Sequence, residues 1–249
     1  MGLPEGITAC LFDLDGVLTS TASLHFQAWK QMFDEFLRVE AELKTKVPEL
    51  FEMSDYLAYV DGKPRMDGVK SFLASRAIDL PEGEPDDAPG SLTLQSLGNR
   101  KNDLVLEIMQ EQGVDAFEGS RRYLDAVEQA GLKRAVVSAS TNTPSVLAAA
   151  GLAGRFDTVV DGNVAIAQGL RGKPFPDTFL HAAEMLGVEP AAAAVYEDAL
   201  AGVAAGRDGG FGYVVGVNRA GQADALREAG ADLVVQDLAE LLELEPEVS

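Results

Sequence analysis

Six short apolar segments, separated by stretches with helical periodicity, most constrain the fold of this 249-residue chain. Each segment has the length and composition of a strand buried on both faces of a sheet. Between them, apolar residues such as Tyr123, Leu124 and Val127 recur at the spacing of an amphipathic helix. This alternation predicts a doubly wound, Rossmann-like α/β fold with a parallel sheet. The predicted strands are Ile7–Phe12, Ala135–Val137, Thr158–Val160, Ala193–Tyr196, Tyr213–Val217 and Leu233–Val235.

The alternation is interrupted after the first predicted strand. Apolar residues there, among them Trp29, Phe33 and Phe36, follow helical spacing, and no convincing strand intervenes. We therefore predict an α-helical insertion at residues 20–117, set into an α/β core of residues 1–19 and 118–249. Within the insertion, the segment PEGEPDDAPG at Pro81–Gly90 is rich in proline, glycine and acid, which predicts a mobile, solvated loop.

The charge of the chain limits the ligands that it can bind. Forty acidic residues against 20 basic ones give a formal net charge of −20, which repels nucleic acid and anionic membranes. The chain has no apolar run long enough for a transmembrane helix. Its only cysteine, Cys10, lies in a predicted strand, which suits a reducing compartment. We therefore expect a cytoplasmic monomer that binds a small ligand.

Four polar segments fall where a parallel sheet would bind ligands, beyond the carboxyl ends of its strands. Two carboxylates as close as those of the first segment, or of the fourth, repel each other unless a cation or a shared proton lies nearby. The second segment supplies hydroxyls and free N–H groups at a helix start, and the third supplies one cation. The segments are Asp13–Gly16, Val137–Asn142, Arg171–Pro174 and Tyr196–Gly202.

Each segment alone has an ordinary explanation, but together they favour phosphoryl transfer. Serine, threonine and asparagine commonly cap helices, and a lysine is commonly a surface charge. Asp13 and Asp198, however, offer the hard oxygen ligands that Mg²⁺ prefers. Lys173 and the Ser138 hydroxyl could bind the remaining phosphoryl oxygens. One carboxylate could then attack phosphorus while another handles the proton.

In the order and placement of these segments, the sequence resembles the haloacid dehalogenase superfamily. The resemblance implies that Asp13 is the nucleophile, Asp15 the general acid/base, and Ser138 and Lys173 the remaining catalytic groups. It also implies that Mg²⁺ is bound by the carboxylates of Asp13, Glu197 and Asp198 and by the main-chain carbonyl of Asp15.

Further matches resemble the β-phosphoglucomutase-like subfamily, which implies that the helical insertion is a cap domain and that the α/β core is the catalytic core. Its arginine grips the non-transferring phosphate of the sugar, and its lysine and hinge histidine couple cap closure to alignment of the acid/base. The loop around substrate phosphate and sugar matches at Ser138, Ala139, Ser140 and Asn142. In the cap, the matching substrate-binding and catalytic residues are Thr21, His25, Gly62, Arg65 and Lys101. Without the other matches, His25 could be a packed core histidine, Arg65 an exposed charge and Trp29 part of the cap core.

The resemblance implies a phosphomutase that converts β-glucose 1-phosphate to glucose 6-phosphate through an aspartyl-phosphate and glucose 1,6-bisphosphate. Departures from the subfamily are Ser20 in place of aspartate, Thr141 in place of a phosphate-contacting lysine, and Ala199 in place of serine. The main alternative is a phosphatase of small phosphorylated sugars. A dehalogenase has no need for Asp15, a receiver-type signalling module carries no such cap, and an inactive binding protein would not retain all four segments.

Overall fold

The structure is a computed structural model that describes residues 2–44 and 47–244. The chain divides into two compact units, each with its own hydrophobic core. The core unit comprises Met1–Ser20 and Val114–Ser249, and the cap unit comprises Thr21–Gly113.

The second boundary between the units lies at Gly113, whereas the sequence placed it at Phe117. Ala116 forms an antiparallel bridge with Thr19, and the N–H of Ser20 donates to the carbonyl of Asp115 at 3.0 Å. These contacts hold the returning chain against the segment that leaves β1 of the core unit. Residues 114–117 therefore belong to the core unit.

The sheet of the core unit contains, within the described residues, six parallel strands in the order β3-β2-β1-β4-β5-β6. All six predicted strands are confirmed, with small shifts at their ends. Strand order reverses at β1, whose neighbours are β2 and β4, and ligands of such sheets bind at this switch point. The strands are β1 Ala9–Phe12, β2 Lys133–Val137, β3 Thr158–Val160, β4 Ala193–Glu197, β5 Tyr213–Val217 and β6 Leu233–Val235.

Helices cover both faces of the sheet and make up the cap unit. The cap unit contains α1 Thr21–Lys44, α2 Met53–Asp55, α3 Arg65–Ser75 and α4 Leu94–Gln112, with a π-helical segment at Tyr56–Val60. The core unit contains α5 Glu118–Gln129, α6 Thr143–Ala149, α7 Gly162–Gln168, α8 Asp177–Leu186, α9 Leu200–Asp208 and α10 Ala223–Ala229, with 3₁₀ segments at Pro190–Ala192 and Leu238–Leu242.

Successive residues of the central strands pack on opposite faces of the sheet. Leu11 of β1 and Phe179 of α8 are both fully buried in one cluster. On the other side of β1, the ring of Phe12 stacks on Tyr196 of β4 at 4.5 Å between centroids, and both contact Tyr123 of α5. Burial on both faces explains why these strands read as continuous apolar runs.

Aromatic side chains at helical spacing form the core of the cap unit. The rings of Trp29 and Phe33 on α1 stack at 5.3 Å, and Phe33 lies 4.2 Å from Phe72 of α3. Trp29 is buried, which confirms its interpretation as a core residue. Among the described residues, none of the helices is both long enough and apolar enough to span a membrane.

The Pro81–Gly90 segment is a largely exposed loop, as predicted. Hydrogen bonds nevertheless attach it to neighbouring parts of the cap unit. The Thr93 hydroxyl donates to Asp87 at 2.6 Å, and the Asn99 amide donates to the carbonyl of Pro85 at 3.0 Å. Lys70 of α3 donates to Glu82 at 3.0 Å. The loop therefore has a defined conformation set by Lys70 of α3, by Asn99 of α4 and by Thr93, the residue before α4.

Candidate active site

The turn that follows β1 places Asp13 inside the protein. The N–H of Asp13 donates to the carbonyl of Tyr196 at 2.9 Å, which continues the pairing of β1 with β4 by one residue. The chain then turns at Gly16, whose φ of +89° is a conformation that glycine adopts readily. The carbonyl of Leu14 accepts the N–H and the hydroxyl of Thr19, which closes the turn. Asp13 is buried, whereas Asp15 is partly exposed.

Lys173 links the first and fourth polar segments. Its Nζ lies 2.5 Å from Oδ1 of Asp13, 2.5 Å from Oε1 of Glu197 and 3.0 Å from the carbonyl oxygen of Val137. The side chain is only 2% exposed. A lysine this deeply buried requires charged partners, and it has two. The interpretation of Lys173 as a surface charge is therefore wrong.

The segment after β4 adds two more buried carboxylates. Oε2 of Glu197 accepts the N–H of Ala199 at 2.9 Å, and a side chain at Gly202 would collide with the Glu197 carboxylate. Asp13, Glu197 and Asp198 each offer an oxygen, and these oxygens all lie within 4.8 Å of one another. Oxygen donors at this spacing can hold a divalent cation. The carboxylate of Asp15 is not part of this cluster.

Burial and neighbouring charges have opposite effects on the pKa of Lys173, and they have mixed effects on the pKa of Asp13. Burial raises the pKa of the Asp13 carboxyl well above its usual range; Lys173 opposes this, and Glu197 and Asp15 add to it. Burial alone would lower the pKa of Lys173, but the carboxylates of Asp13 and Glu197 outweigh it and raise that pKa. The lysine is therefore a fixed positive charge beside a carboxylate that is costly to ionise in a dry environment.

The loop from Ser138 to Asn142 follows β2 and is held by its own side chains. The hydroxyl of Ser138 accepts the N–H of Ser140 at 3.1 Å, and the hydroxyl of Ser140 accepts the N–H of Asn142 at 3.1 Å. The expectation of free N–H groups here is therefore wrong for Ser140 and Asn142. Ser138 itself is buried, and its N–H donates to the carbonyl of Val160 at 3.0 Å. Its hydroxyl remains placed at the carboxyl edge of the sheet.

Residues after β3 support this loop and were not identified from the sequence. Asp161 accepts the N–H of Val164 at 2.9 Å and so caps α7. The N–H of Gly162 donates to the carbonyl of Ser140 at 3.1 Å, and the Asn163 amide donates to the carbonyl of Thr141 at 3.0 Å. Inspecting the residues after every predicted strand would have found this segment.

A second missed segment, Asn218–Gln222, follows β5. Arg219 donates to the carbonyl oxygen of Gly16, and Gln222 donates to the carbonyl oxygen of Asp198. The segment therefore contacts the first and fourth polar segments. Its position after a strand was again the available signal.

In the cap unit, the structure brings His25 and Lys101 together. Nζ of Lys101 lies 2.8 Å from Nδ1 of His25 and 5.1 Å from the centre of the Trp29 ring. Lys101 is only 5% exposed, so it is not part of a solvated charge pair with Arg100. A partly buried ammonium group over an aromatic ring is a stabilised arrangement.

The remaining predicted cap residues lie at element boundaries. Thr21 is the buried first residue of α1, and Arg65 is the first residue of α3. Gly62 has a φ of +70° in the turn before α3. Burial lowers the pKa of Arg65, and Asp103 opposes this shift. Arg65 is therefore partly desolvated, unlike an exposed surface arginine.

Known proteins resemble this chain over nearly its whole length. The sequence pattern of the family described as haloacid dehalogenase-like hydrolase matches residues 7–210. A β-phosphoglucomutase of Mycobacterium tuberculosis (strain CDC 1551 / Oshkosh) is 57% identical over 246 residues, 97% of this chain and 94% of the relative. A β-phosphoglucomutase of Bacillus subtilis (strain 168) is 32% identical over 234 residues, 94% of this chain and 91% of the relative.

The fold comparison agrees with the sequence comparison. A crystal structure of β-phosphoglucomutase from Clostridium difficile matches with a TM-score of 0.72 at 25% identity and covers 94% of this chain and 93% of that one. The four polar segments meet at the carboxyl edge of a sheet with the strand order and connections described above. The chain therefore belongs to the haloacid dehalogenase-like hydrolases and, within them, to the β-phosphoglucomutase family.

Proposed function

We propose that this chain is a phosphomutase that converts β-glucose 1-phosphate into glucose 6-phosphate, with glucose 1,6-bisphosphate as the intermediate. The observation that carries the proposal is the buried contact of Asp13 with Lys173, beside Glu197 and Asp198, in a chain 57% identical to a β-phosphoglucomutase. A lone buried thiol, Cys10, suits a reducing cytoplasm as the place of the reaction.

Asp13 would act as the nucleophile. One of its oxygens forms a bond to phosphorus as the bond from phosphorus to the sugar oxygen breaks, which leaves an aspartyl-phosphate. Asp15, two residues further on and more exposed, would donate a proton to the departing sugar oxygen and take one from the attacking hydroxyl in the reverse transfer. Lys173 and the Ser138 hydroxyl would stabilise the negative charge that gathers on the phosphoryl oxygens.

The carboxylate cluster fits a divalent cation, and we assign Mg²⁺ to it. Its buried oxygens are hard ligands, and their combined charge exceeds that of the single lysine. Asp13 and Asp198 would hold the ion together with the main-chain carbonyl of Asp15. Both carboxylate oxygens of Glu197 already accept hydrogen bonds, so Glu197 would bind the ion through its remaining lone pairs. When bound, Mg²⁺ would neutralise charge on the phosphoryl group and on the aspartates.

Substrate-binding residues are proposed in each unit. Ala139, Ser140 and Asn142 would contact the substrate from the loop after β2. In the cap unit, the partly desolvated Arg65 offers the strongest site for a non-transferring phosphate, because a guanidinium binds phosphate through two parallel hydrogen bonds. The other proposed cap contributors are Thr21, Gly62, Lys101 and His25.

The proposal is tested by following both possible products from one substrate. Purified enzyme with Mg²⁺, β-glucose 1-phosphate and a trace of glucose 1,6-bisphosphate should form glucose 6-phosphate, measured by a coupled dehydrogenase assay, faster than it releases free phosphate. The phosphatase alternative predicts the reverse ratio. Asp13→Asn should lose both activities, whereas Asp224→Asn, a change at an exposed residue of α10, should keep them.

A further inference from the structure

We propose that Arg219, in the segment Asn218–Gln222 after β5, is a positioning residue that fixes the turn carrying Asp15. The inference rests on the proposed phosphomutase function, because Asp15 acquires its role there. Arg219 lies outside the four polar segments and has no contact with Asp13, Lys173 or Glu197 among the interactions of the described residues. It acts instead through the backbone of Gly16.

The Arg219 side chain spans the turn and the end of β6. Its Nε donates to the carbonyl oxygen of Gly16 at 2.8 Å, and its Nη1 donates to the carbonyl oxygen of Gln236 at 2.8 Å. Nη1 also lies 3.6 Å from Oδ2 of Asp237. The same guanidinium therefore binds the carbonyl of Gly16 in the turn after β1 and the carbonyl of Gln236, directly after β6. A planar group with several fixed donors suits this role better than a lysine does.

Phe117 limits the movement of the guanidinium from one side. Its ring centre lies 3.7 Å from Cζ of Arg219, which is a stacking distance. The N–H of Phe117 donates to the carbonyl oxygen of Leu18, in the same turn that Arg219 holds at Gly16. Arg219 is thus supported by Phe117 of the returning chain as well as by Gln236 and Asp237, which follow β6.

The segment makes a second contact with the site, through Gln222. Its side-chain amide donates to the carbonyl oxygen of Asp198 at 3.2 Å, and its own N–H donates to Oδ1 of Asn218 at 2.7 Å. A hydrogen bond within the segment therefore fixes its conformation. The segment is also bound to both acidic segments, through the carbonyls of Gly16 and Asp198.

The Gly16 turn and the Asp198 carboxylate are in close contact. A Cβ added at Gly16 would collide with the carboxylate of Asp198. The turn must therefore keep its present distance from the Asp198 carboxylate. The group in this turn that Arg219 holds is the carbonyl of Gly16, one residue from Asp15. Loss of this hydrogen bond should let the turn shift by a fraction of an ångström.

A shift of this kind should lower kcat more than it raises KM. Displacements of about 1 Å near the reacting atoms can cost about 100-fold in rate, so we expect Arg219→Ala to lower kcat about 10- to 100-fold. Arg219 touches none of the residues proposed to bind the sugar phosphate, so KM should change by less than about 3-fold. Arg219→Lys keeps one donor and should recover part of kcat.

Amide hydrogen exchange supplies a readout that needs no substrate. The N–H groups of Leu18 and Thr19 donate to the carbonyl of Leu14 at 3.0 and 2.9 Å, and they report directly on the turn. Exchange in a peptide covering residues 14–20 should be faster in Arg219→Ala than in the wild type, and intermediate in Arg219→Lys. The matched control is Arg227→Ala, which removes an exposed arginine paired with Asp224 and should change neither exchange nor kcat.

The two measurements decide the inference together. A lower kcat with faster exchange in the turn, partly restored by lysine, supports it. Unchanged exchange in Arg219→Ala overturns it, whatever the rate. If Arg219→Ala does not fold, Arg219→Lys carries the same test. If the wild type forms no glucose 6-phosphate, the proposed function fails, and exchange still decides whether Arg219 fixes the turn.

Discussion

Nζ of Lys173 lies 2.5 Å from Oδ1 of Asp13, a contact between residues 160 positions apart in the chain. The two groups meet because the turn after β1 and the loop before α8 both reach the carboxyl edge of the sheet. Both side chains are almost completely buried, so the pair is screened little by water. The lysine therefore compensates the charge of a carboxylate that has little contact with solvent.

Lys173→Met should destabilise the protein strongly. It leaves Asp13 and Glu197 buried without their cation, and breaking a buried pair typically costs about 3–5 kcal/mol of the free energy of unfolding. Urea unfolding measures this loss. Lys70→Met, which removes an exposed lysine paired with Glu82, is the control and should cost less than about 1 kcal/mol.

The loss in Lys173→Met should depend on pH. The folded-state pKa of Asp13 is raised above its usual value, so its contribution to stability is present at low pH and is lost as pH rises through the folded pKa. Without Lys173 this pKa rises further. The difference in unfolding free energy between variant and wild type should therefore widen as pH rises through the folded-state pKa of Asp13 in the wild type. A constant difference across that transition would show that removal of the lysine leaves this pKa unchanged.

The sheet and the four polar segments could be predicted from sequence because both depend on local patterns. Leu11 and its neighbours are apolar on both faces, and Asp13 follows them directly. Parallel strands present their carboxyl ends at one edge, so the meeting of Asp13 with Glu197 follows from topology. Lys173 follows no strand, and the loop between α7 and α8 brings it to the same edge.

Other features depend on contacts that no local pattern encodes. Arg219 is one arginine among several, and only the folded chain brings it to the Gly16 carbonyl. The N–H groups of Ser140 and Asn142 are occupied by nearby hydroxyls, which is an outcome of loop conformation. The boundary of the core unit depends on the bridge of Thr19 with Ala116, between distant segments.

Gly16→Ala should abolish phosphoryl transfer, and Gly6→Ala should not. Both glycines have φ near +90°, at +89° and +88°, so an alanine at either position incurs a similar backbone strain of about 1–2 kcal/mol. At Gly16 the added Cβ also collides with the Asp198 carboxylate, whereas at Gly6 it meets no atom within 4 Å. Activity per folded molecule, with stability measured by thermal unfolding, separates the two effects. Equal activities would mean that the turn tolerates displacement.

Cys10 should be inert in the folded protein. Its thiol is fully buried, 3.5 Å from the Tyr196 hydroxyl, and burial raises its pKa to about 12. At pH 8 only about one thiol in 10⁴ would then be ionised, and the thiolate is the reactive form. A colorimetric disulfide reagent should label the native protein only as fast as it unfolds, and should label one thiol at once in guanidinium chloride. Immediate labelling of native protein would mean that β1 opens locally.

Asp198→Asn should separate metal binding from stability. Without metal, the variant loses one of three neighbouring buried carboxylates, so relief of repulsion should keep its Tm equal to or above that of the wild type. Added Mg²⁺ at about 100 times its Kd should stabilise the wild type by about 2.7 kcal/mol and raise its Tm by about 5–10 °C. The increase should be at most half as large in Asp198→Asn, and unchanged in the exposed control Asp224→Asn. An equal increase in all three proteins would place the ion outside the cluster of Asp13, Glu197 and Asp198.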